Sequence, residues 1–338
     1  MAPLSALVQG VCRMTNVDAP PKVSGLTASS RRVAGPPKFW AGLWRLADPK
    51  ISLASMASLF LGACAAGREG PLSPLWLSLT VLGIFFLEVA KNASGELFDL
   101  DSGTDLAVAP EDRSLFSGGK RVLVDGLLTR GQTKAIAAVS YLLGILTGLA
   151  IVGGRERDVL WVGLAGVACA YFYHAPPLKL SYRGLGELAV AICYGPLICA
   201  GTYLVQRGRI SSDVLLLSVP LGLLIAAFLW INEFPDYRAD LGAGKRTLVV
   251  LLGRRRASRV FAWILSASTV LLALLPWAGL PPTVLFGLLG IVPGMVASRI
   301  VLHSPERSSS LIPAQALTLA SFLLMALGSG LGLMLGAP

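Results

Sequence analysis

The chain has 338 residues, of which 54% are hydrophobic and only 14% charged, against roughly 25% charged in soluble domains. This composition excludes a soluble globular enzyme and describes an integral membrane protein. The formal charge of +10 points to a protein face near anionic lipid, with no nucleic-acid partner expected.

Residues 1–37 carry Pro, Ser, Gly and scattered bases without an apolar core segment, which predicts a mobile basic cytoplasmic tail rather than a signal peptide. "FWAGLWRLADPK" (39–50) sets aromatics and bases at helical spacing, as in a short helix lying at the membrane interface. Charge-free windows follow at 51–67, 70–87, 135–154, 159–178, 188–206 and 214–232, then a 39-residue window at 260–298 and a 31-residue tail at 308–338. The 39-residue window is long enough for two spans, with "PWAGLPP" (276–282) as the turn between them. The sequence therefore predicts an all-α polytopic fold of nine transmembrane helices, N-in and C-out. With that topology the cytoplasmic segments hold 24 Lys and Arg and the opposite side 5, as the positive-inside rule requires. Of the five cysteines, four lie inside apolar windows and none forms a CxxC pair, so they read as small buried thiols.

The polar exceptions carry the chemistry. In "KNASGELFDLDSGTD" (91–105), Asn92, Glu96 and Asp99 are spaced i, i+4, i+7 and share one helix face. In "INEFPDYRADLGAGKRT" (231–247), Asn232, Asp236 and Asp240 repeat the device at i, i+4, i+8. Both sets end even-numbered helices of the predicted topology, so they form two facing acidic walls on one side of the membrane. Carboxylates so gathered repel one another and need a counter-charge. Mg²⁺ suits them, since it takes oxygen ligands and usually binds one or two carboxylates together with substrate phosphates. Bases follow each set, Arg113 after the first and Lys245 and Arg246 after the second, and acid, metal and base together describe a diphosphate site. Two other motifs fail on inspection. "DLDSGTD" lacks the glycine at position six and the glutamate at position twelve of a calcium loop, and "GAGKRT" lacks the first glycine, the final Ser/Thr and the preceding strand of a P-loop.

The stretches Asn92-x3-Glu96-x2-Asp99-x5-Asp105 and Asn232-x3-Asp236-x3-Asp240, the latter continuing as "GAGKRTLVVLLG", resemble the two aspartate-rich motifs of the UbiA superfamily of intramembrane prenyltransferases. "YFYHAPPLKLSYRGLGELAVAICYGPLICAGTYLVQ" (171–206) is similar to the branch that prenylates 1,4-dihydroxy-2-naphthoate in menaquinone synthesis. The resemblance covers roughly residues 40 to 335, with one departure: Gly95 and Glu96 stand where many members have Asn-Asp. It implies a transferase domain over 38–338, with the helices around a central cavity, in a prokaryotic cell membrane with the site on the cytoplasmic side. It implies a polyprenyl diphosphate donor, an aromatic acceptor, and Mg²⁺ on Glu96, Asp99, Asp236 and Asp240. Arg113, Lys179 and Lys245 would neutralise the leaving diphosphate. Asn92, Asp105, Asn232, Tyr182, Arg183 and His174 would contact substrate, and the isoprenoid tail would lie in an apolar tunnel open to lipid.

His174 admits two readings: it orients or deprotonates a phenolic acceptor, or it is a histidine satisfied beside an aromatic belt. A secondary transporter would place its polar groups towards mid-membrane at broken helices, whereas here they gather at one face. A phosphatidyltransferase of the CDP-alcohol type would need a D-G-x2-A-R run, which is absent. Acceptor choice within the superfamily stays open among dihydroxynaphthoate, 4-hydroxybenzoate, homogentisate and glycerolipid.

Overall fold

The computed structural model describes residues 38–336, so the expectation of a mobile tail over 1–37 lies outside the described residues. Every regular element among these residues is helical, as lipid demands of a chain that must satisfy its own backbone groups. Helix α1 (Phe39–Ala47) exposes Trp40 and Trp44, the amphipathic pattern of an interfacial helix. A 45° bend separates it from α2 (Pro49–Glu69). α3 (Pro74–Ser102) carries the first acidic set in its last turns, and the short α4 (Thr104–Ala107) follows. α5 (Arg130–Gly154) opens on a capping box between Thr129 and Gln132. α6 (Val159–Phe172), α7 (Gly186–Arg207) and α8 (Ser212–Gly242) come next, α8 bearing the second acidic set. α9 (Leu248–Leu252), α10 (Arg254–Ala278), α11 (Pro282–His303) and α12 (Ser308–Leu335) complete the chain.

Each of the nine apolar windows falls on one of these helices. Among the described residues seven of them, α3, α5, α7, α8, α10, α11 and α12, are long and apolar enough to cross a membrane, and α1 with α2 makes an eighth if the bent pair is one span. α6 has 14 residues; Pro176 and Pro177 lie just beyond it, where proline cannot continue a helix.

α8 is the axis of the bundle. In its apolar stretch 72% is buried inside the protein, against 22% for α3 and α5, because it packs on α7, α10 and α12 together. Phe228 of α8 stacks edge-to-face on Phe322 of α12 and on Phe116, with centroids 5.6 and 5.8 Å apart. The outer faces invert the soluble pattern, with Leu142, Leu146, Leu149, Trp161 and Leu164 exposed on α5 and α6.

α7 and α8 cross at backbone contact. Pro196 cannot donate to the preceding turn, and the helix widens to a π-turn over Cys193–Leu197. Gly195 there faces Gly222 of α8, where an added Cβ would lie 2.4 Å from the Ala191 carbonyl oxygen. Gly222→Val is expected to force the two helices apart and destabilise the protein by about 1–3 kcal/mol. A lowered thermal midpoint in detergent checks this; an unchanged midpoint would mean that the crossing is looser than described.

Candidate active site

Three segments converge at the end of the bundle where α3 and α8 carry their carboxylates: the ends of those helices, the turn after α6, and the loop after α8. Lys245 lies at the centre. Its backbone N–H bonds the Asp240 carbonyl at 2.8 Å, which folds the chain back, and its ammonium stands 3.6 Å from Asp240 Oδ1. Burial works to lower the pKa of Lys245, but the Asp240 and Asp99 carboxylates outweigh it and hold the group well above its ordinary value. One ammonium therefore answers both acidic walls.

Tyr182 ties the walls to the loop after α6. Its hydroxyl donates to Asp99 Oδ1 at 2.6 Å, and its ring lies between two cations, Lys179 Nζ at 5.6 Å and Lys245 Nζ at 5.5 Å from the centroid. The Arg246 amide bonds the Tyr182 carbonyl at 3.1 Å and locks the two loops together. His174 Nε2 approaches Asp99 Oδ2 at 3.8 Å, while its Nδ1 is buried without a hydrogen-bond partner. Burial lowers its pKa to about 4 against the pull of Asp99, so the ring is a neutral imidazole at physiological pH. His174 also accounts for Gly95: a Cβ at that position would come within 2.7 Å of the imidazole.

Asp105, on α4, is buried below the loop 117–121. Burial, then repulsion by Asp99 and Glu96, pushes its pKa up to about 8. The loop crosses it at Gly119, where φ is +74° and a Cβ would fall 2.2 Å from Asp105 Oδ1. The neighbouring Gly118 amide lies near Asp236, so the glycine pair runs beside both acidic walls.

Several expected residues stand elsewhere. Arg113 is exposed and its guanidinium donates to the Val108 carbonyl at 2.9 Å, because it leaves the turn Pro110–Asp112 pointing away from the carboxylates. Arg121, eight residues later, stands in its place, bonded to the Asp105 carbonyl and 3.5 Å from Asp125. Arg183 is also exposed. Asn92 is turned from the site, its amide donating to the Leu46 carbonyl at 2.8 Å and pinning the end of α1. Glu96 is buried and accepts the Leu123 amide at 3.4 Å, which fixes the loop and leaves further acceptor positions on the carboxylate. Spacing on a helix fixes the face, whereas the partner depends on what packs against it. Arg121 was missed because it follows the first set by more than twenty residues, and the glycine pair beside it was the available signal.

Among the described residues no group of three His, Cys, Asp or Glu is assembled to hold a metal by itself. Asn232 Oδ1, Asp236 Oδ1 and Asp240 Oδ1 are nevertheless buried oxygens without hydrogen-bond partners. These hard oxygen donors on α8, facing the carboxylates of α3, fit Mg²⁺, whose other ligand positions are taken by water and phosphate.

Behind the carboxylates a cavity of about 310 Å³ runs between α3, α5, α6 and α7. It extends from Leu79 and Val205 at its apolar end to Tyr173 and Lys91 beside the acidic site. From Leu79 to Lys91 the wall on α3 is about 18 Å long at 1.5 Å per residue.

A helical membrane bundle with two carboxylate walls, a shared ammonium and an apolar cavity near them defines an intramembrane enzyme that joins an ionic site to hydrocarbon. Residues 55–322 match the UbiA prenyltransferase family, and the chain belongs to that family and is a prenyltransferase. It is 27% identical over 65% of its length to 1,4-dihydroxy-2-naphthoate octaprenyltransferase of Bacillus subtilis, covering 68% of that protein. It is 30% identical over 71% of its length to 2-carboxy-1,4-naphthoquinone phytyltransferase of Synechocystis, covering 76% of that protein. The fold superposes on a UbiA homologue from Archaeoglobus fulgidus bound to GPP and Mg²⁺ with a TM-score of 0.55 at 16% identity, covering 87% of this chain and 99% of that one.

Asp105 gives a test of the site's electrostatics. A carboxyl that titrates near 3.8 when free and near 8 when folded binds its proton more tightly in the folded state. Its contribution to stability is therefore full at acidic pH and is lost as pH rises from about 4 to about 8. In metal-free protein Asp105→Asn is expected to gain on the wild type across that window. Thermal midpoints in chelator check it, and parallel pH curves would contradict the burial.

Proposed function

We propose that the protein transfers a polyprenyl group from polyprenyl diphosphate to 1,4-dihydroxy-2-naphthoate, in a Mg²⁺-dependent reaction of menaquinone biosynthesis. The observation that carries this reading is that Lys245 lies between the two carboxylate walls and within the field of Tyr173, which lines an apolar cavity. The names of the naphthoate-prenylating relatives and the GPP and Mg²⁺ bound by a homologue of the same fold support it.

In this reading the diphosphate lies between the walls, and Glu96, Asp99, Asp236 and Asp240 hold Mg²⁺, with Asn232 beside them. The metal, when bound, supplies positive charge to the diphosphate oxygens. Lys245 and Lys179 face the same oxygens as the allylic C–O bond breaks and its electron pair leaves with the diphosphate. Arg121 and the amides of the 117–121 loop close the site over the first wall. The acceptor's ring carbon attacks the allylic carbon, and the ring proton it displaces passes to water, one proton for each diphosphate released. His174, a neutral imidazole with an unpartnered Nδ1, orients the phenolic acceptor, and Tyr182 holds Asp99 in place. The tail occupies the apolar cavity, where burying its methylenes is favourable at about 25 cal/mol per Å².

Nine spans, N-in and C-out, in a prokaryotic cell membrane place this site on the cytoplasmic side; the 24 to 5 division of Lys and Arg supports that orientation. Incubating membranes with a prenyl diphosphate, Mg²⁺ and a panel of aromatic acceptors, then identifying products by mass spectrometry, tests the reaction. A prenylated dihydroxynaphthoate is expected. A prenylated hydroxybenzoate, homogentisate or glycerolipid would reassign the acceptor, and no product with any acceptor would refute the transfer.

Three variants test the roles within the site. Asp99→Ala and Asp236→Ala should abolish turnover while the protein stays folded in detergent, and near wild-type activity in either would remove that residue from the metal site. Lys245→Met should lower kcat by about a hundredfold, more than it weakens binding of the diphosphate, because its charge matters most as the bond breaks. A loss of diphosphate affinity with kcat unchanged would make Lys245 a ground-state binder only.

A further inference from the structure

The cavity behind the carboxylates is lined by only two charged side chains, Glu88 and Lys91, both on α3 and both at its polar end. Glu88 is already engaged. Its carboxylate accepts Ser52 Oγ at 2.9 Å and the Tyr194 hydroxyl at 3.1 Å. Lys91 lies three residues on, within the field of Glu88, yet it forms no ion pair and no side-chain hydrogen bond among the described residues. Its one direct contact is with a ring face, its ammonium standing 5.8 Å from the Tyr173 centroid.

An ammonium in an apolar membrane cavity is costly unless something answers it. Packing does not require it: methionine or leucine would fill the same space at no electrostatic cost. We propose that Lys91 recognises the carboxylate of an aromatic acid, which makes the polar end of this cavity the acceptor subsite; the assignment rests on the transferase reading above.

The position suits that role. Lys91 precedes Glu96 by five residues, about 7.5 Å along the axis at 1.5 Å per residue. An acceptor whose carboxylate sits on Lys91 therefore extends its ring towards the diphosphate site. Tyr173, which meets the Lys91 ammonium, also packs edge-to-face on His174 at 4.8 Å, and His174 in turn reaches Asp99. A flat aromatic ring seated against Tyr173 is thus carried from the cation to the reacting end. Lys91 and Asn92 are neighbours in sequence, but the Asn92 amide is committed to Leu46, so the cation is the recognising group.

The test uses the full chain in detergent and two pairs of probes that differ only in a carboxylate. Equilibrium binding of 1-hydroxy-2-naphthoate and of 1-naphthol is measured for wild type, Lys91→Met and Lys91→Arg. Transfer to 1,4-dihydroxy-2-naphthoate and to 1,4-dihydroxynaphthalene is measured in parallel. The wild type is expected to prefer the acid, and Lys91→Met to lose that preference by about ten- to a hundredfold, the usual worth of a hydrogen bond to a charged group. Lys91→Arg should restore part of it, with binding of the prenyl diphosphate unchanged in both variants. Equal weakening towards acid and naphthol, a loss confined to the prenyl diphosphate, or no change at all would overturn the proposal. Acid-selective binding that depends on Lys91, without transfer to either acceptor, would uphold the subsite and refute the transferase reading instead.

Discussion

The structure is organised by repulsion. Two long apolar helices, α3 and α8, both end in carboxylates, and the fold brings those ends together. Like charges in a site of low dielectric cannot all stay ionised without an answering cation. Lys245 is the cation that the chain supplies, and it is held where it is by a backbone bond to the residue whose side chain it pairs with. A single ammonium leaves oxygens unanswered, since Asn232 and Asp236 each keep a buried oxygen without a hydrogen-bond partner. A site with unmet demand for positive charge fits a divalent ion arriving with a diphosphate.

The rest of the bundle keeps those ends in register. The backbone crossing of Gly195 and Gly222 fixes α7 against α8, and α7 forms one wall of the cavity that begins beside the carboxylates. Asn92 fastens the end of α1 to α3, and Glu96 fastens the loop after α4. Polar groups on the acidic face thus divide between those that meet the site and those that hold its frame. The cavity continues the division along α3, with charged side chains at one end and hydrocarbon at the other.

Family membership accounts for the two acidic walls and leaves the acceptor to particular side chains. Relatives with naphthoate and naphthoquinone in their names share 27 to 30% of residues with this chain. The polar end of the cavity, with Glu88 tied to Ser52 and Tyr194 and Lys91 against Tyr173, is where this chain departs from a plain hydrocarbon channel.

The sequence by itself determined the helical membrane class, the order of the apolar segments, and the places of both acidic sets and of Lys245 after the second. These are local properties: hydrophobic length follows from the bilayer, and a spacing of three or four residues places side chains on one helix face whatever packs there. Which polar residues then turn inward was decided by the tertiary structure. Asn92 and Asn232 hold matching places in the two sets, yet the Asn92 amide is bonded to Leu46 of α1, whereas Asn232 Oδ1 is buried without a hydrogen-bond partner. Arg113 and Arg121 are both bases after the first set, and only the course of the glycine loop brings the second against Asp105. Lys91 stands next to the first acidic set in sequence; the packing of α6 and α7 across α3 makes it part of a cavity wall. A loop's course and a helix's partners rest on contacts between residues far apart in the chain, and spacing along one segment carries no record of them.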